Sequence, residues 1–390
     1  MRILLDLRCL ETGSAARGLG RHTRELARAV CGQAPAAVRM AGLSFEGNVT
    51  RELQLEDVRY PGPRRGITLS DRWLLPRLLR HVEIDLYHAP AFGVPARQPG
   101  GTALVLTVHD LIPEIFPGAV PLRARAAFRR IHRSARDADR VIAVSETTRR
   151  DLLARYPLPP ERVVVVPNGV AAPFARARPG ASRSPDPFLL YVGGLDATKN
   201  VPFLLEVLAE VRRQVPAMRL ALAGETGPRR EALVARARAA GLGEALDLLG
   251  FLDDGRLAAA YQEAAAFLFP SLYEGFGLPP LEAMAAGCPV VASPGGALPE
   301  VLGDAAWIAP FGDAAAWARA VVTLHRDIGR RRSLVDAGRA HAARYGWDRV
   351  GRETWEVYRS LLEPEPEPEP EAEPGPERAE DEGSWPRLIR

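Results

Sequence analysis

Cysteine is scarce in this 390-residue chain, and the scarcity is informative. Cys9, Cys31 and Cys288 are odd in number and stand in no metal-ligand spacing. A disulfide framework and a zinc ribbon are set aside, and reduced thiols in a cytoplasmic setting are expected. Long apolar runs are missing too. Nothing approaches the roughly 18 consecutive apolar residues of a spanning helix, so none is expected. Met1-Arg2 leads straight into Ile3–Leu7, a run too short for the apolar core of a signal peptide. The arginines are scattered through helical patterns without interleaved aromatics, which argues against a nucleic-acid partner.

What is present is apolar matter enough for two cores: 47% of residues in a chain too long for one ordinary domain. The formal charge of +3 conceals an asymmetry. Residues 363–382 hold ten acids and one arginine, whereas the 362 residues before them hold 48 basic and 38 acidic side chains. A basic body with an acidic tail suggests an anionic partner. The tail, Pro/Glu-rich over 363–377, is expected to be disordered across 363–390.

Strand-like runs recur at 2–7, 38–44, 84–89, 103–110, 140–145 and 162–167, with helical patterns between them, notably 71–80, 121–137 and 146–155. Such alternation predicts a mostly parallel sheet covered on both faces. Gly18-Leu19-Gly20 follows the first strand, and a glycine turn there lets backbone N–H groups approach an anion. Residues 171–187, rich in Pro, Ala, Arg and Ser, read as a linker. A second series begins at 188 and continues through strands at 219–224, 245–250 and 266–269. The expected fold class is α/β, with two doubly wound domains facing across a cleft. Their expected bounds are 1–170 and 188–345, followed by a helix over 346–362 that packs back towards the first domain.

The most pointed stretch is Phe269 to Ser293. A buried strand ends at Phe269, a loop holds Glu274-Gly275-Phe276-Gly277, two prolines open a helix, and a second apolar run reaches Ala292. This βαβ unit puts its loop at the carboxyl end of a strand, where open α/β sheets bind ligands. Glu274 and Glu282 bracket it with seven residues between them. His109 and Asp110 fall at the mouth of the first sheet. Asn200 is a plausible N-cap for a helix beginning near Val201.

Together these motifs resemble the retaining glycosyltransferases of family 4, built on the two-Rossmann-domain GT-B plan. The resemblance rests on GLGRHT, TVHDLIPEIFP (107–117), VIAVSETTRRDL (141–152), VVVPNGV (164–170), YVGGLDATKN (191–200) and EGFGLPPLEAMAAGCPVVAS (274–293). It covers residues 1–362, and HDLIPEIFP looks like the branch rich in mannosyltransferases.

The resemblance implies a nucleotide-sugar donor, GDP-mannose ahead of a UDP-hexose, and a saccharide or lipid-linked acceptor in surface-polysaccharide synthesis. It assigns Glu282 to the ribose, Glu274 to the sugar and Lys199 to the diphosphate. The amides of Gly275, Phe276, Gly277 and Leu278 would hold phosphate, with Gly18 and Gly20 on the facing side. His109 would contact the sugar and join Glu274 as the catalytic pair. Gly194 departs from the pattern, since the family often carries arginine there, and Arg17 or Arg21 could compensate. The two glutamates are not a hydrolase dyad, because one is engaged with ribose. No cofactor and no metal are expected: the only DxD, Asp137-Ala138-Asp139, closes a helical pattern, where capping explains it. A nucleotide-sugar epimerase or hydrolase on the same scaffold is the other enzymatic reading. The helix over 121–137 is arginine-rich and carries an Ala124/Phe128/Ile131/Ala135 stripe. It is expected to lay that stripe on the sheet; the alternative is a basic face on anionic lipid at the inner side of the plasma membrane.

Overall fold

A computed structural model describes residues 1–13, 18–64, 67–96, 101–176, 186–224 and 227–363. Seven parallel strands form the first sheet: β1 (Arg2–Asp6), β2 (Arg39–Ser44), β3 (Glu56–Arg59), β4 (Leu86–Ala89), β5 (Ala103–Val108), β6 (Arg140–Ala143) and β7 (Val163–Val165). Their spatial order is β3-β2-β1-β4-β5-β6-β7. The second sheet has order β10-β9-β8-β11-β12-β13, from β8 (Phe188–Val192), β9 (Arg219–Ala223), β10 (Leu246–Gly250), β11 (Ala266–Phe269), β12 (Val290–Ala292) and β13 (Trp307–Ile308). All its pairings are parallel too. Strand direction in a parallel sheet demands crossovers, and the helices between strands cover both faces. Two doubly wound α/β domains result, as the alternating runs predict.

The central strands are apolar throughout, β5 and β11 being buried at every residue. The edges differ. Of β3 only Val58 is buried, and β13 is two half-buried residues. Neither has an apolar run to announce it, so the sequence pattern passes over both.

Two corrections concern boundaries. The segment expected as a linker includes a helical turn, Ala172–Ala175, whose Phe174 is wholly buried in the second core beside Tyr261. A single aromatic in Pro/Ala/Arg-rich sequence gives no periodicity, which is why composition misplaced it; residues 177–185 lie outside those described. The first helix, Gly18–Gln33, begins at the glycine pair rather than after it, so Gly18 and Gly20 form its first turn. The tail expected to be disordered lies, from residue 364 on, outside the described residues.

The C-terminal helix, Trp347–Leu362, crosses onto the first domain. Trp355 and Tyr358 are buried there, and Trp355 Nε1 donates to the Val30 carbonyl at 2.7 Å. A Cβ on Gly351 would meet the Ala29 carbonyl oxygen at 2.7 Å, so glycine lets the two helices approach this closely. His88, buried in β4, bonds Tyr358 Oη through Nδ1 (2.6 Å) and Thr107 Oγ1 through Nε2 (2.8 Å). No described helix is long and apolar enough to cross a membrane.

Candidate active site

In each sheet the strand order reverses beside the first strand, at β1/β4 and at β8/β11. Loops leaving the carboxyl ends at such a switch point open a crevice, and both crevices face one another across the interdomain cleft. Lys199 follows β8, Glu274 follows β11 and His109 follows β5.

His109 is half-buried, with Nε2 2.8 Å from the Pro90 carbonyl oxygen. A carbonyl only accepts, so Nε2 carries the proton and Nδ1 presents a lone pair. Burial lowers the pKa of this imidazole, against the opposite pull of the Pro90 carbonyl and Asp110. In this tautomer the neutral ring offers Nδ1 as a hydrogen-bond acceptor. His22, buried and held neutral by the same desolvation, stands edge-on to it with ring centres 4.5 Å apart.

Across the cleft, Lys199 Nζ donates to Glu274 Oε1 at 2.7 Å. Burial alone would lower the Lys199 pKa, but Glu274 outweighs it and the ammonium is held above its ordinary range. Lys199 is the only lysine in the sequence, a signal that composition offered and motif reading overlooked. The Glu274 loop is tightly shaped. Gly277, at φ 103°, turns it into the helix Leu278–Ala286, and Gly287, at φ 87°, ends that helix. A second loop supports it from beneath: Ala297 N donates to the Glu274 carbonyl at 2.9 Å. A Cβ on Gly296 would come within 2.3 Å of that carbonyl oxygen. The Pro294-Gly295-Gly296 turn was missed at the sequence level; a glycine pair directly after an apolar strand was its only mark.

Glu282 lies in the helix behind the loop, 4% exposed. Its Oε1 accepts from Arg21 Nη1 at 2.6 Å, and Arg21 Nη2 donates to Asp254 as well. Arg21 comes from the first domain. The two ends respond differently to burial. Desolvation raises the Glu282 pKa despite Arg21, whereas for Arg21 the two carboxylates overcome desolvation and strengthen its charge. Both directions describe a carboxylate short of hydration and a cation with partners to spare.

The cleft is shut by polar contacts on the helix Glu146–Arg155. Ser145 caps it, accepting from Thr148 N, and also donates through Oγ to the Gly275 carbonyl at 2.7 Å. Thr148 Oγ1 donates to the same oxygen at 3.1 Å. Glu300 accepts from the amides of Glu146 and Thr147 at 2.7 and 2.9 Å, a carboxylate set against a helix start. Tyr273 Oη donates to Asp151. The VSETTRRDL motif is therefore the surface on which the second domain closes.

Other expected residues sit as follows. Phe276 is buried with its ring against Tyr345 at 5.9 Å, so its side chain packs rather than lines the cleft. Leu278 is the first residue of its helix, and Gly194 accepts from Tyr191 Oη through its carbonyl. Asn200 is not an N-cap: it ends a short turn in the left-handed conformation (φ 51°), and the helix starts at Phe203. Asparagine tolerates that conformation, which is why it stands there. Asp139 of the DxD receives Leu104 N at the opening residues of β5, the end opposite His109. Among the described residues no three His, Cys, Asp or Glu side chains converge as a metal-binding group.

Two family models match, one for each half: Glycosyltransferase Family 4 over residues 16–172, and Glycosyl transferases group 1 over residues 176–341. The chain is 29% identical over 328 residues to O-antigen chain mannosyltransferase B of Escherichia coli, covering 79% of this chain and 81% of that one. It is 34% identical over 237 residues to the MMP alpha-(1->4)-mannosyltransferase of Mycolicibacterium hassiacum, covering 59% of this chain and 56% of that protein, so the match spans little more than half the relative's length. Among solved structures, HepE of Anabaena, determined with UDP-glucose, superposes with TM-score 0.70 at 19% identity, covering 92% of this chain and 100% of the other.

Proposed function

The chain belongs to the family-4 glycosyltransferases, and we propose that it moves a hexose from a nucleotide-sugar to a saccharide or lipid-linked acceptor with retention of anomeric configuration. The observation that carries the proposal is the convergence of Lys199, Glu274 and Glu282 at one switch point, with His109 after β5 on the facing sheet. Glu282 takes the ribose hydroxyls. The amides of the Gly275–Leu278 turn, the helix start and Lys199 take the diphosphate, so no divalent ion is required. Glu274 and the Nδ1 lone pair of His109 receive sugar hydroxyls on either side. In the reaction the bond from the anomeric carbon to the diphosphate oxygen breaks, and the acceptor oxygen bonds that carbon on the same face. The acceptor's proton passes to the departing diphosphate.

The proposed donor is GDP-mannose, supported by the mannosyltransferase names among the relatives; a UDP-hexose is the alternative. A thermal-shift panel of GDP-, UDP- and ADP-sugars tests both, because a ligand stabilises according to its concentration over its dissociation constant. A selective shift with GDP-mannose is expected. No shift with any nucleotide-sugar would remove the proposal.

The acceptor side has one further feature. On the helix Leu122–Arg133, Ala135 beyond its end is buried, but Phe128 is 39% and Leu122 76% exposed. The stripe expected to lie on the sheet is thus only partly used: Ile131 packs on the first core and Ala135 is buried, beside His132 bonded to Glu114, while Phe128 faces out. Apolar side chains exposed among arginines suit an anionic lipid surface. Co-flotation with vesicles should rise with anionic lipid content, and equal partition onto neutral vesicles would refute this.

A further inference from the structure

Arg21 is placed where helix stability does not want it. It lies in the first turn of Gly18–Gln33, where the helix dipole disfavours a cation, and its guanidinium crosses the cleft to the other domain. There it meets Glu282, a nearly inaccessible carboxylate, and Asp254, whose side chain is 42% exposed. The Phe174 ring supports the guanidinium from a further side, 5.3 Å from its centre. Ribose hydroxyls donating to Glu282 need the same carboxylate that Arg21 holds at 2.6 Å. Asp254 offers the guanidinium a second anchor, so Arg21 can leave Glu282 without losing every partner. On the second-domain side Lys199 is already committed to Glu274, which leaves a diphosphate with two charges to neutralise and a single shared ammonium. A planar guanidinium matches phosphate oxygens two at a time.

We propose that Arg21 is an exchangeable counterion of the donor site: ribose displaces it from Glu282, and it then grips the donor diphosphate from the facing domain. Arg21 thereby couples donor binding to cleft closure, since the residue recognising the phosphates belongs to the domain that must close on them. The inference rests on the nucleotide-sugar reading of the site.

The test separates ribose from phosphate. The purified full chain and its Arg21→Ala and Arg21→Lys variants are titrated with guanosine, GDP, uridine and UDP by displacement calorimetry. For the base that the wild type binds, Arg21→Ala should take the phosphate-free nucleoside about threefold more tightly and the diphosphate about tenfold more weakly. Arg21→Lys, with charge but no fork, should fall between. The opposite signs are the signature. A residue that merely ties the domains together would shift both affinities by one factor while lowering the melting temperature, and that result overturns the proposal. So does tighter binding of nucleoside and diphosphate alike, which would make Arg21 a block and nothing more. If the wild type binds none of the four ligands, the GDP- and UDP-sugar donor reading on which the proposal rests falls, before any substitution is considered.

Discussion

At Gly275 the two domains meet backbone to backbone, and adding one methyl group there should hold them apart. A Cβ built on Gly275 lies 1.8 Å from the His109 carbonyl oxygen and 2.8 Å from Asp110 Cβ. The first obstacle is backbone, so no rotamer change relieves it. Ordinary contact requires about 3.4 Å, so Gly275→Ala forces a separation of roughly 1.5 Å at the cleft floor. The backbone of Gly275 is not in the left-handed region, so alanine suits its own domain. The displacement loosens the two hydrogen bonds from Ser145 and Thr148 to the Gly275 carbonyl, each worth about 1 kcal/mol. His109 moves away from Glu274 by the same step. A misplacement near 1 Å costs on the order of 10²-fold in rate.

The expected profile is therefore lopsided: kcat down about 100-fold, donor affinity down by no more than the roughly tenfold that loss of Arg21 would cost because Glu282 and Lys199 share one domain, and both domains folded. Initial rates, calorimetric donor binding and circular dichroism read the three quantities. Small-angle scattering should show a larger radius of gyration with donor bound. Gly118→Ala, where an added Cβ meets nothing within 4 Å, serves as the control. Wild-type rates in Gly275→Ala, or a rate loss with no change in scattering, would refute the argument.

Two further predictions follow from paired and unpaired charge. Lys199→Met strands Glu274, 8% exposed, as a buried carboxylate; stability should fall by roughly 3 kcal/mol and diphosphate affinity about tenfold or more. The double variant Lys199→Met/Glu274→Gln should regain stability in chemical denaturation but not affinity, and recovery of both would contradict the phosphate role. His88, the buried link between β4 and the C-terminal helix, has its pKa lowered by desolvation to about 3. A depressed folded-state pKa gives stability that is present above pH ~6.5 and lost as pH falls towards 3, because the unfolded chain takes up the proton first. Between pH 7.5 and 5 this single histidine should remove about 2 kcal/mol. Urea melts at the two pH values should show a difference smaller by that amount in His88→Gln; an unchanged difference would exclude the assignment.

Legibility in the sequence followed burial. Apolar runs marked the central strands because strands buried on both faces have no polar residue to interrupt them; Ala266–Phe269 was readable to the residue. Val58 alone among four, and the pair Trp307–Ile308, gave β3 and β13 no such mark. The cap that a side chain does make, at Ser145, went unread, and Asn200 was misread as one although its role is backbone conformation. Within the site, the glutamates stood out beside their glycine loop, and Lys199 was placed by the family resemblance. Arg21 was only one of two possible compensating arginines, Glu300 had no mark, Thr148 stood without a role inside a longer motif, and Gly296 was marked only by its glycine neighbour. Their importance comes from what faces them across the cleft, and facing is a tertiary fact.

The two kinds of contact between the halves imply a division of labour. The C-terminal helix joins the first domain through apolar burial, with Val350, Trp355, Val357 and Tyr358 in its core. Such a contact has no ligand-like competitor and does not exchange. Across the cleft floor the ties are instead Arg21 to Glu282, Glu300 to the amides of Glu146 and Thr147, and two hydroxyls to one carbonyl. Water can replace the hydrogen bonds among these at about 1 kcal/mol each, and for Arg21 and Glu282 the incoming ribose hydroxyls supply the replacement partner. Opening the cleft while the helix stays docked therefore asks for polar exchange and no exposure of core. An enzyme that must admit a nucleotide-sugar, shut out water and then release a nucleoside diphosphate needs that asymmetry. The chain places its apolar contact at the C-terminal helix and its exchangeable ones across the cleft.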